Sequence, residues 1–192
     1  VNRLVEPRKL NRQAFLLYVL ARAGKPDVSR SVQLFEHRLG LSLYARAFLA
    51  QSLYIIDQED PRLQSLLSDF TSQAIVSATG THWEEQEKDR WNWNTDTRTT
   101  AIILSTLAQI DKQNPINSNA VRWLMSNRKN GYWLSTQETA WTLMALTNWM
   151  TASGELQANY RYAIALNGKP LGAGEVNSET LRQIQTLQVD LT

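Results

Sequence analysis

The sequence contains no cysteine, and this absence excludes several kinds of chemistry. Without a thiol there is no disulfide framework, no thiolate nucleophile, no iron–sulfur cluster and no cysteine-based zinc site. Histidine is nearly as scarce. His37 and His82 are the only two, and neither has a second histidine or a carboxylate at the spacing of a metal site. We therefore expect no bound metal and no cofactor.

The chain also lacks long apolar runs and turn-forming residues. Its longest apolar run is residues 14–21, well short of the roughly 20 residues of a membrane span, so we expect no membrane insertion by this segment. Eight glycines and five prolines in 192 residues are few, which indicates long helices with short connections. The first residues, Val1-Asn2-Arg3, show neither Met nor a signal pattern. We expect a processed chain or an excised fragment.

Motifs typical of enzymes are missing as well. There is no Gly-rich phosphate loop and no Gly-x-Ser-x-Gly elbow, and we predict that the chain is not an enzyme. Lys88 and Arg90 alternate with acidic residues, which favours a solvated loop with helix-capping acids over an acid/base pair for glycan chemistry. The acids in question flank an aromatic segment and are Glu84, Glu85, Glu87, Asp89 and Asp96.

The charge distribution does not indicate a nucleic-acid site. The net charge is +2, and residues 1–50 hold nine Lys or Arg against three Asp or Glu. A basic excess of this size can mark a polyanion footprint. The basic residues are scattered rather than clustered, however, which is typical of solvated helix faces. We expect no nucleic-acid partner.

Apolar residues recur at helical spacing over most of the chain. In the first helix the buried stripe is expected at Leu10, Ala14, Leu17 and Ala21, and the motif Gly24-Lys25-Pro26 ends it. A solvent-exposed loop rich in aromatic residues is expected at 80–94. Further helices are predicted at about 28–37, 42–56, 61–78, 95–110, 116–128 and 135–150.

Two of these helices repeat one pattern. The Thr-x-x-Thr-Ala-x-x-Leu-x-x-Leu sequence at 97–107 recurs at 136–146, which predicts stacked helix pairs with Ala101 and Ala140 in equivalent close contacts. Ser135 and Glu138 have the spacing of a capping box. The three tryptophans of the loop are expected to pack between helix pairs rather than to bind a ligand, and they are Trp83, Trp91 and Trp93.

The hydrophobic period changes from 3.6 to 2 near Ala158. Residues 160–166 alternate, and Asn167-Gly168 is typical of a two-residue hairpin turn. The stretch from Leu181 to Leu191 fits either a strand or a helix. We predict a helical domain at 1–157 and a β-strand segment at 158–192, which has too few strands to bury a sheet alone.

Three motifs then resemble one family. Residues 130–140 read Asn-Gly-Tyr-Trp-Leu-Ser-Thr-Gln-Glu-Thr-Ala, which resembles the Gly-Gly-aromatic…Ser-Thr-Gln-[Asp/Glu]-Thr signature of the α2-macroglobulin and complement family. Val121-Arg122-Trp123-Leu124 is similar to the helix before that signature, and His82-Trp83-Glu84 is similar to the His-Trp-Glu of macroglobulins. The resemblance implies a structural role for the motif residues His82, Trp83, Glu84, Trp123, Gly131, Ser135, Thr136, Gln137, Glu138 and Thr139.

The resemblance implies a mainly α fold: part of an α/α toroid of paired helices, like that of terpenoid cyclases and prenyltransferases, with a short β segment from a CUB-like domain. It also implies a peptidase inhibitor that traps its targets when a bait region is cut, with target peptidases and the rest of the macroglobulin chain as partners. Because this chain has no cysteine, it lacks the family's Cys–Gln thioester. Val1 falls downstream of that site, so we expect the C-terminal part of the thioester-containing domain.

None of the asparagines lies in a glycosylation acceptor, which favours a bacterial member over a glycosylated extracellular one. Such a protein would be periplasmic or extracellular, and often membrane-anchored through a distant terminus. Two alternatives stay open. One is a fragment of an α/α-toroid enzyme, because Gly131-Tyr132-Trp133 is similar to the Gly-x-Trp repeats of cyclases. The other is a helical-repeat interaction scaffold.

Overall fold

The computed structural model describes residues 7–87, 89–154, 159–177, 179–180 and 186. The chain divides into two compact units, Val1–Trp149 and Met150–Thr192. None of the described helices has the length and hydropathy needed to cross a bilayer. The helices of the described part are α1 (Pro7–Arg22), α2 (Val28–Glu36), α3 (Leu43–Ile56), α4 (Arg62–Ser72), α5 (Asp96–Ile110), α6 (Ile116–Ser126) and α7 (Thr136–Ser153).

The first unit is built from inner and outer helices. In α3, 10 of 14 residues are buried, and in α5, 12 of 15, so both are enclosed on all sides. By contrast α2, α4 and α6 each bury only three residues. Helices α1, α2, α4 and α5 pack around α3, and α6 packs on α5. This is the mainly α, paired-helix arrangement of an α/α toroid, as expected from the sequence.

The predicted buried stripes are confirmed in α1 and α3. Leu10, Ala14, Leu17 and Ala21 are at most 8 % exposed. In α3 the four side chains expected in the core are at most 2 % exposed, and they are Tyr44, Ala47, Phe48 and Leu53. Small Ala side chains let neighbouring helices approach closely, because they add little bulk at the contact.

The predicted equivalence of Ala101 and Ala140 is wrong in this chain. Ala101, on α5, is fully buried, whereas Ala140, on α7, is exposed. The two helices share a sequence pattern but differ in their neighbours. Helix α5 lies between α3 and α6, while no described element covers the Ala140 side of α7, where Leu143 and Met144 are exposed too.

The helix predicted at 61–78 is too long. Helix α4 ends at Ser72, and a hairpin follows, with β1 (Ile75–Ser77) antiparallel to β2 (Gly80–His82). The β-branched pair Ile75-Val76 favours a strand here, and Gly80 adopts a φ of +132° that L-residues avoid. Strand β2 then packs against α6.

The second unit contains the hairpin predicted from the change of period. Strand β3 (Tyr160–Leu166) pairs with β4 (Lys169–Val176) in antiparallel register, with a bulge between Ile164 and Ala165. Asn167 and Gly168 both have positive φ, 51° and 80°, as a type I′ turn requires. The ambiguous stretch near residues 181–191 lies outside the described residues except for Thr186.

The burial difference between the two alanines gives a direct test. We expect Ala101→Leu to overpack the contact around α5 and to cost about 1–3 kcal/mol, which lowers Tm by roughly 2–4 °C per kcal/mol. Ala140→Leu, on the exposed face of α7, serves as the matched control and should leave Tm within about a degree. Thermal melts followed by circular dichroism decide it. Equal melting temperatures for the two variants would contradict the inner position of α5.

Candidate functional site

The segment between β2 and α5 lies across the N-terminal ends of two inner helices, and Trp83 anchors it. The Trp83 side chain is fully buried, and its indole Nε1 donates to the Phe70 carbonyl at 2.7 Å. Its backbone N–H donates to Thr100 Oγ1 on α5 at 3.1 Å. Both N–H donors of this buried residue are therefore satisfied, and the segment begins at a fixed point against α4 and α5.

Glu85 caps α3 from outside the helix. Its carboxylate accepts the free backbone N–H groups of Leu43 and Tyr44, at 2.9 and 3.0 Å, and the Thr99 hydroxyl at 3.0 Å. Ser42, the residue at the N-cap position, makes no side-chain cap of its own. A carboxylate at a helix N-terminus is favoured both by the free donors and by the helix dipole. Burial raises the pKa of Glu85, and these hydrogen bonds oppose that shift.

Asp89 joins three elements through one carboxylate. Its Oδ2 accepts from the Tyr44 hydroxyl at 2.7 Å, from Asn11 Nδ2 at 3.1 Å and from Asn92 Nδ2 at 2.7 Å. Its Oδ1 accepts the Asn92 backbone N–H at 3.2 Å. Burial alone would raise the pKa of Asp89, but the hydrogen bonds from Asn92, Tyr44 and Asn11 outweigh it and hold the pKa below its usual value.

Sequence reasoning did not single out Arg98, which lies inside α5 and is only 6 % exposed. Its guanidinium stacks over the rings of Tyr44 and Trp141, with centroids at 5.0 and 5.5 Å. Burial lowers its pKa, and the carboxylates of Glu85 and Asp89 are among the charges that oppose the shift. An available signal was a cation in the first turn of a helix, where the helix dipole favours acidic residues.

The first group of motif residues meets at β2 and α6. The His82 ring stacks on Trp123 at 4.5 Å between centroids and 1° between planes, and His82 Nε2 lies 3.0 Å from Glu84 Oε1. Glu84 is otherwise open to solvent, with its side chain 55 % exposed. Together with the buried Trp83, these residues pack the hairpin onto α6.

The second group of motif residues forms the start of α7. Gly131 has a φ of +88° in the turn before the helix. Ser135 Oγ accepts the Glu138 backbone N–H at 3.2 Å, as a capping box predicts, but Glu138 reaches the N–H of Leu134 at 2.9 Å rather than that of Ser135. The remaining members of this group are exposed or half-buried on the first turn and are Thr136, Gln137 and Thr139.

Two expectations for the loop are only partly met. Glu85 does cap a helix, as expected of the loop acids, and Glu84 and Glu87 are exposed. Glu85 is half-buried and Asp89 is buried, however, because their oxygens accept from helix N–H groups, hydroxyls and amides. Of the three loop tryptophans only Trp83 packs in the core; Trp91 and Trp93 are 73 % and 75 % exposed. The loop is also partly ordered into β2 and a short 3₁₀ turn at Arg90–Asn92.

The chemistry available to these groups is that of packing and capping. Trp83, Glu85, Asp89 and Glu138 are engaged by helix ends or hydroxyls. Within the described ranges, no three His, Asp or Glu side chains gather as metal ligands. Fold and site together define the class: a paired-helix α/α domain in which a loop ties down the N-terminal ends of the inner helices.

Comparison with known proteins identifies the family. The sequence model of the A-macroglobulin TED domain matches residues 14–149, and the chain belongs to this family, whose domain is an α/α toroid. No curated protein sequence matches significantly.

Solved structures of Escherichia coli α2-macroglobulin have the same fold. The native protein from domain MG7 to the C-terminus is 20 % identical, with a TM-score of 0.57 over 92 % of this chain and 27 % of that one. The protein activated by porcine elastase is 19 % identical, with a TM-score of 0.59 over 92 % and 15 %. The trypsin-activated protein is 19 % identical, with a TM-score of 0.55 over 95 % and 12 %. The chain thus spans about a quarter or less of these relatives.

The buried carboxylate of Asp89 predicts a pH-dependent stability. Its pKa is lower in the folded state than the usual value of about 3.9, so its contribution is present at neutral pH and lost as the pH falls through the folded-state pKa. Asp89→Asn places an amide among four donors, and we expect it to cost about 1–3 kcal/mol at pH 7. The difference in the free energy of unfolding between Asp89→Asn and the parent should become smaller towards pH 3. Urea unfolding at pH 7 and pH 3 measures this difference, and the exposed Glu87→Gln variant is the control. A difference that does not change with pH contradicts the prediction.

The glycine that begins β2 predicts a second effect. A methyl group at Gly80 would collide with the Asn119 carbonyl and the Trp123 backbone of α6. We expect Gly80→Ala to cost about 2–5 kcal/mol from backbone strain and overpacking together. Gly24→Ala is the matched control, because Gly24 also has positive φ but has open space around it; it should cost only about 1–2 kcal/mol. Equal losses in chemical denaturation would show that β2 is not held against α6.

Proposed function

We propose that this chain is the supporting part of the thioester-containing domain in a bacterial macroglobulin-type inhibitor that traps or blocks peptidases. The observation that carries the proposal is the match of the TED-domain family to residues 14–149. The local geometry agrees with a supporting role, because the buried motif side chains Trp83 and Glu138 bond to the Phe70 carbonyl and to the Leu134 backbone N–H.

Absence of cysteine limits what the chain does by itself. A thioester needs a cysteine thiol, and these 192 residues have none, so this segment by itself cannot form the electrophilic thioester that captures nucleophiles on a target. In the proposal the capturing chemistry, where the parent protein has it, lies outside these residues. The segment contributes a rigid paired-helix body that transmits or resists the rearrangement of the inhibitor.

The proposed partners are target peptidases and the rest of a macroglobulin chain. Escherichia coli α2-macroglobulin is described as activated by porcine elastase and by trypsin, which supports peptidases as the activating partners here. The β3–β4 hairpin would belong to a CUB-like domain. We propose a periplasmic or extracellular location, where foreign peptidases are met.

Trapping is distinguished from active-site inhibition by substrate size. We expect the protein, produced at the full length that its gene encodes, to protect a large protein substrate from elastase or trypsin while small chromogenic peptides are still cleaved. The reason is steric, because a peptidase held in a trap keeps its active site but excludes large substrates. Assays with both substrates on one sample provide the measurement. Equal inhibition of both substrates, or of neither, contradicts the proposal.

The 192-residue chain alone is the control for the supporting role. We expect it to leave peptidase activity unchanged on both substrates and to form no boiling-stable adduct on a denaturing gel, because it has no thiol. An adduct of high molecular weight would mean that another group in the chain captures the peptidase, and the supporting role would be wrong.

A further inference from the structure

A cavity of about 280 Å³ opens at the N-terminal end of α5, between α1, α3 and α7 and next to the segment 91–93. Its size suits a small organic molecule or a single residue of a peptide. Aromatic rings make up much of its wall, and two arginines, one of them buried, and three amide side chains contribute the polar part. The side chains that matter for binding are Arg12, Trp91, Trp93, Arg98, Gln137 and Trp141.

Arg98 is a buried polar group at the wall of this cavity that has an unused donor. Only 6 % of the residue is exposed. Its Nη1 donates to Asn94 Oδ1 at 2.9 Å, but its Nε is buried without a hydrogen-bond partner among the described residues. A buried guanidinium with unused donors is costly unless an acceptor comes from elsewhere.

The two nearest carboxylates do not fill this need. Asp89 already accepts four hydrogen bonds, and Glu85 is occupied by the N-terminus of α3 and by Thr99. Within the part of the chain that is described, no carboxylate oxygen forms an ion pair with Arg98. The negative charges of Glu85 and Asp89 reduce the positive electrostatic potential of Arg98 at the cavity, which favours a singly charged anion over a doubly charged one.

Trp93, in the aromatic part of the wall, has an unusual backbone conformation. Trp93 has a φ of +52°, and it is 75 % exposed. The other described non-glycine residues with positive φ are Asn130 and Asn167, each followed by glycine in a turn that asparagine tolerates. A tryptophan in this conformation carries backbone strain. Because its ring is exposed, packing of the ring within the fold does not offset that strain. Trp91, 73 % exposed, lies beneath the guanidinium of Arg8 at 5.3 Å.

We propose that this cavity binds a carboxylate carried on a flat apolar group, with the Arg98 guanidinium as the donor and the exposed rings of Trp91 and Trp93 covering the apolar part. The guanidinium fork matches the two oxygens of a carboxylate, and tryptophan faces suit a flat ring. Two sources present this chemistry: a free aromatic carboxylic acid, and the C-terminal aromatic residue of a polypeptide.

Binding of small probes to the 192-residue chain tests the site. Isothermal titration compares phenylacetate with phenylacetamide, which has the same ring but no charge, and with inorganic phosphate, which has charge but no ring. We expect phenylacetate to bind at one site and at least tenfold more tightly than either. Equal binding of phenylacetate and phenylacetamide, tighter binding of phosphate, or no binding of phenylacetate overturns the proposal.

Variants assign the binding to this cavity. Arg98→Gln should weaken phenylacetate at least tenfold, whereas Arg122→Gln, an exposed arginine bonded to Asn119 at 3.2 Å, should leave it unchanged. Arg98→Gln loses a buried stack and is checked first by its melting curve. Should it not fold, Trp93→Gly decides, because glycine removes the strain and the ring together. It should melt no lower than the parent and bind phenylacetate several-fold more weakly; unchanged binding in either folded variant overturns the proposal.

Peptide probes separate the two sources. Acetyl-Ala-Phe with a free carboxylate is compared with its C-terminal amide and with phenylacetate. Tighter binding of the free peptide than of phenylacetate supports a polypeptide C-terminus as the ligand. Weaker binding of the peptide than of phenylacetate supports a free aromatic acid as the ligand. Both results support a ligand that carries a carboxylate. Equal binding of the peptide and its amide overturns it.

Discussion

The arrangement of the inner helices depends on two carboxylates in one irregular segment. An inner helix buried on all sides has no water at its N-terminus to satisfy its first N–H groups. Glu85 supplies those acceptors to α3, and Asp89 ties α3 to α1 through Tyr44 and Asn11. Trp83 fixes the beginning of the same segment on α4 and α5. A loop therefore does the work that local capping residues do in an exposed helix.

Two acids of the same segment have a structural use. Glu85 and Asp89 are held by helix N–H groups, hydroxyls and amides. Each is far from being a free base, since its oxygens are shared among several donors. This use of charge agrees with the supporting role proposed above.

Much of the helical frame was predictable, because periodicity reports which side of a helix is buried. The stripes of α1 and α3 and the Asn167-Gly168 hairpin follow from local patterns and turn chemistry. The end of α4 and the exposure of Ala140 do not. The first depends on β2 finding α6, and the second depends on which neighbours α7 has. The sequence pattern that α5 and α7 share does not show which helices pack against each of them.

The polar site was harder to predict, because its partners are far apart in the sequence. The sequence does not distinguish the four acids Glu84, Glu85, Glu87 and Asp89 from one another. Only the fold shows which of them accept hydrogen bonds from buried N–H and O–H groups. Arg98 had one local signal, a cation in the first turn of a helix, while Trp93 had none, since a positive φ on tryptophan follows no residue preference. The His-Trp-Glu and Ser-Thr-Gln-Glu-Thr motifs were recognisable, but they identify the family and not the geometry.

The separation of Asn11 and Asp89 has a kinetic consequence. Their side chains meet across 78 positions of sequence, and the Tyr44–Asp89 bond spans 45. Closing loops of this length costs chain entropy that only a formed helical core can offset. We therefore expect the cluster to assemble after the helices have docked. Bonds that form after the folding transition state mainly slow unfolding, so we expect this cluster to lengthen the lifetime of the native domain rather than to speed its formation.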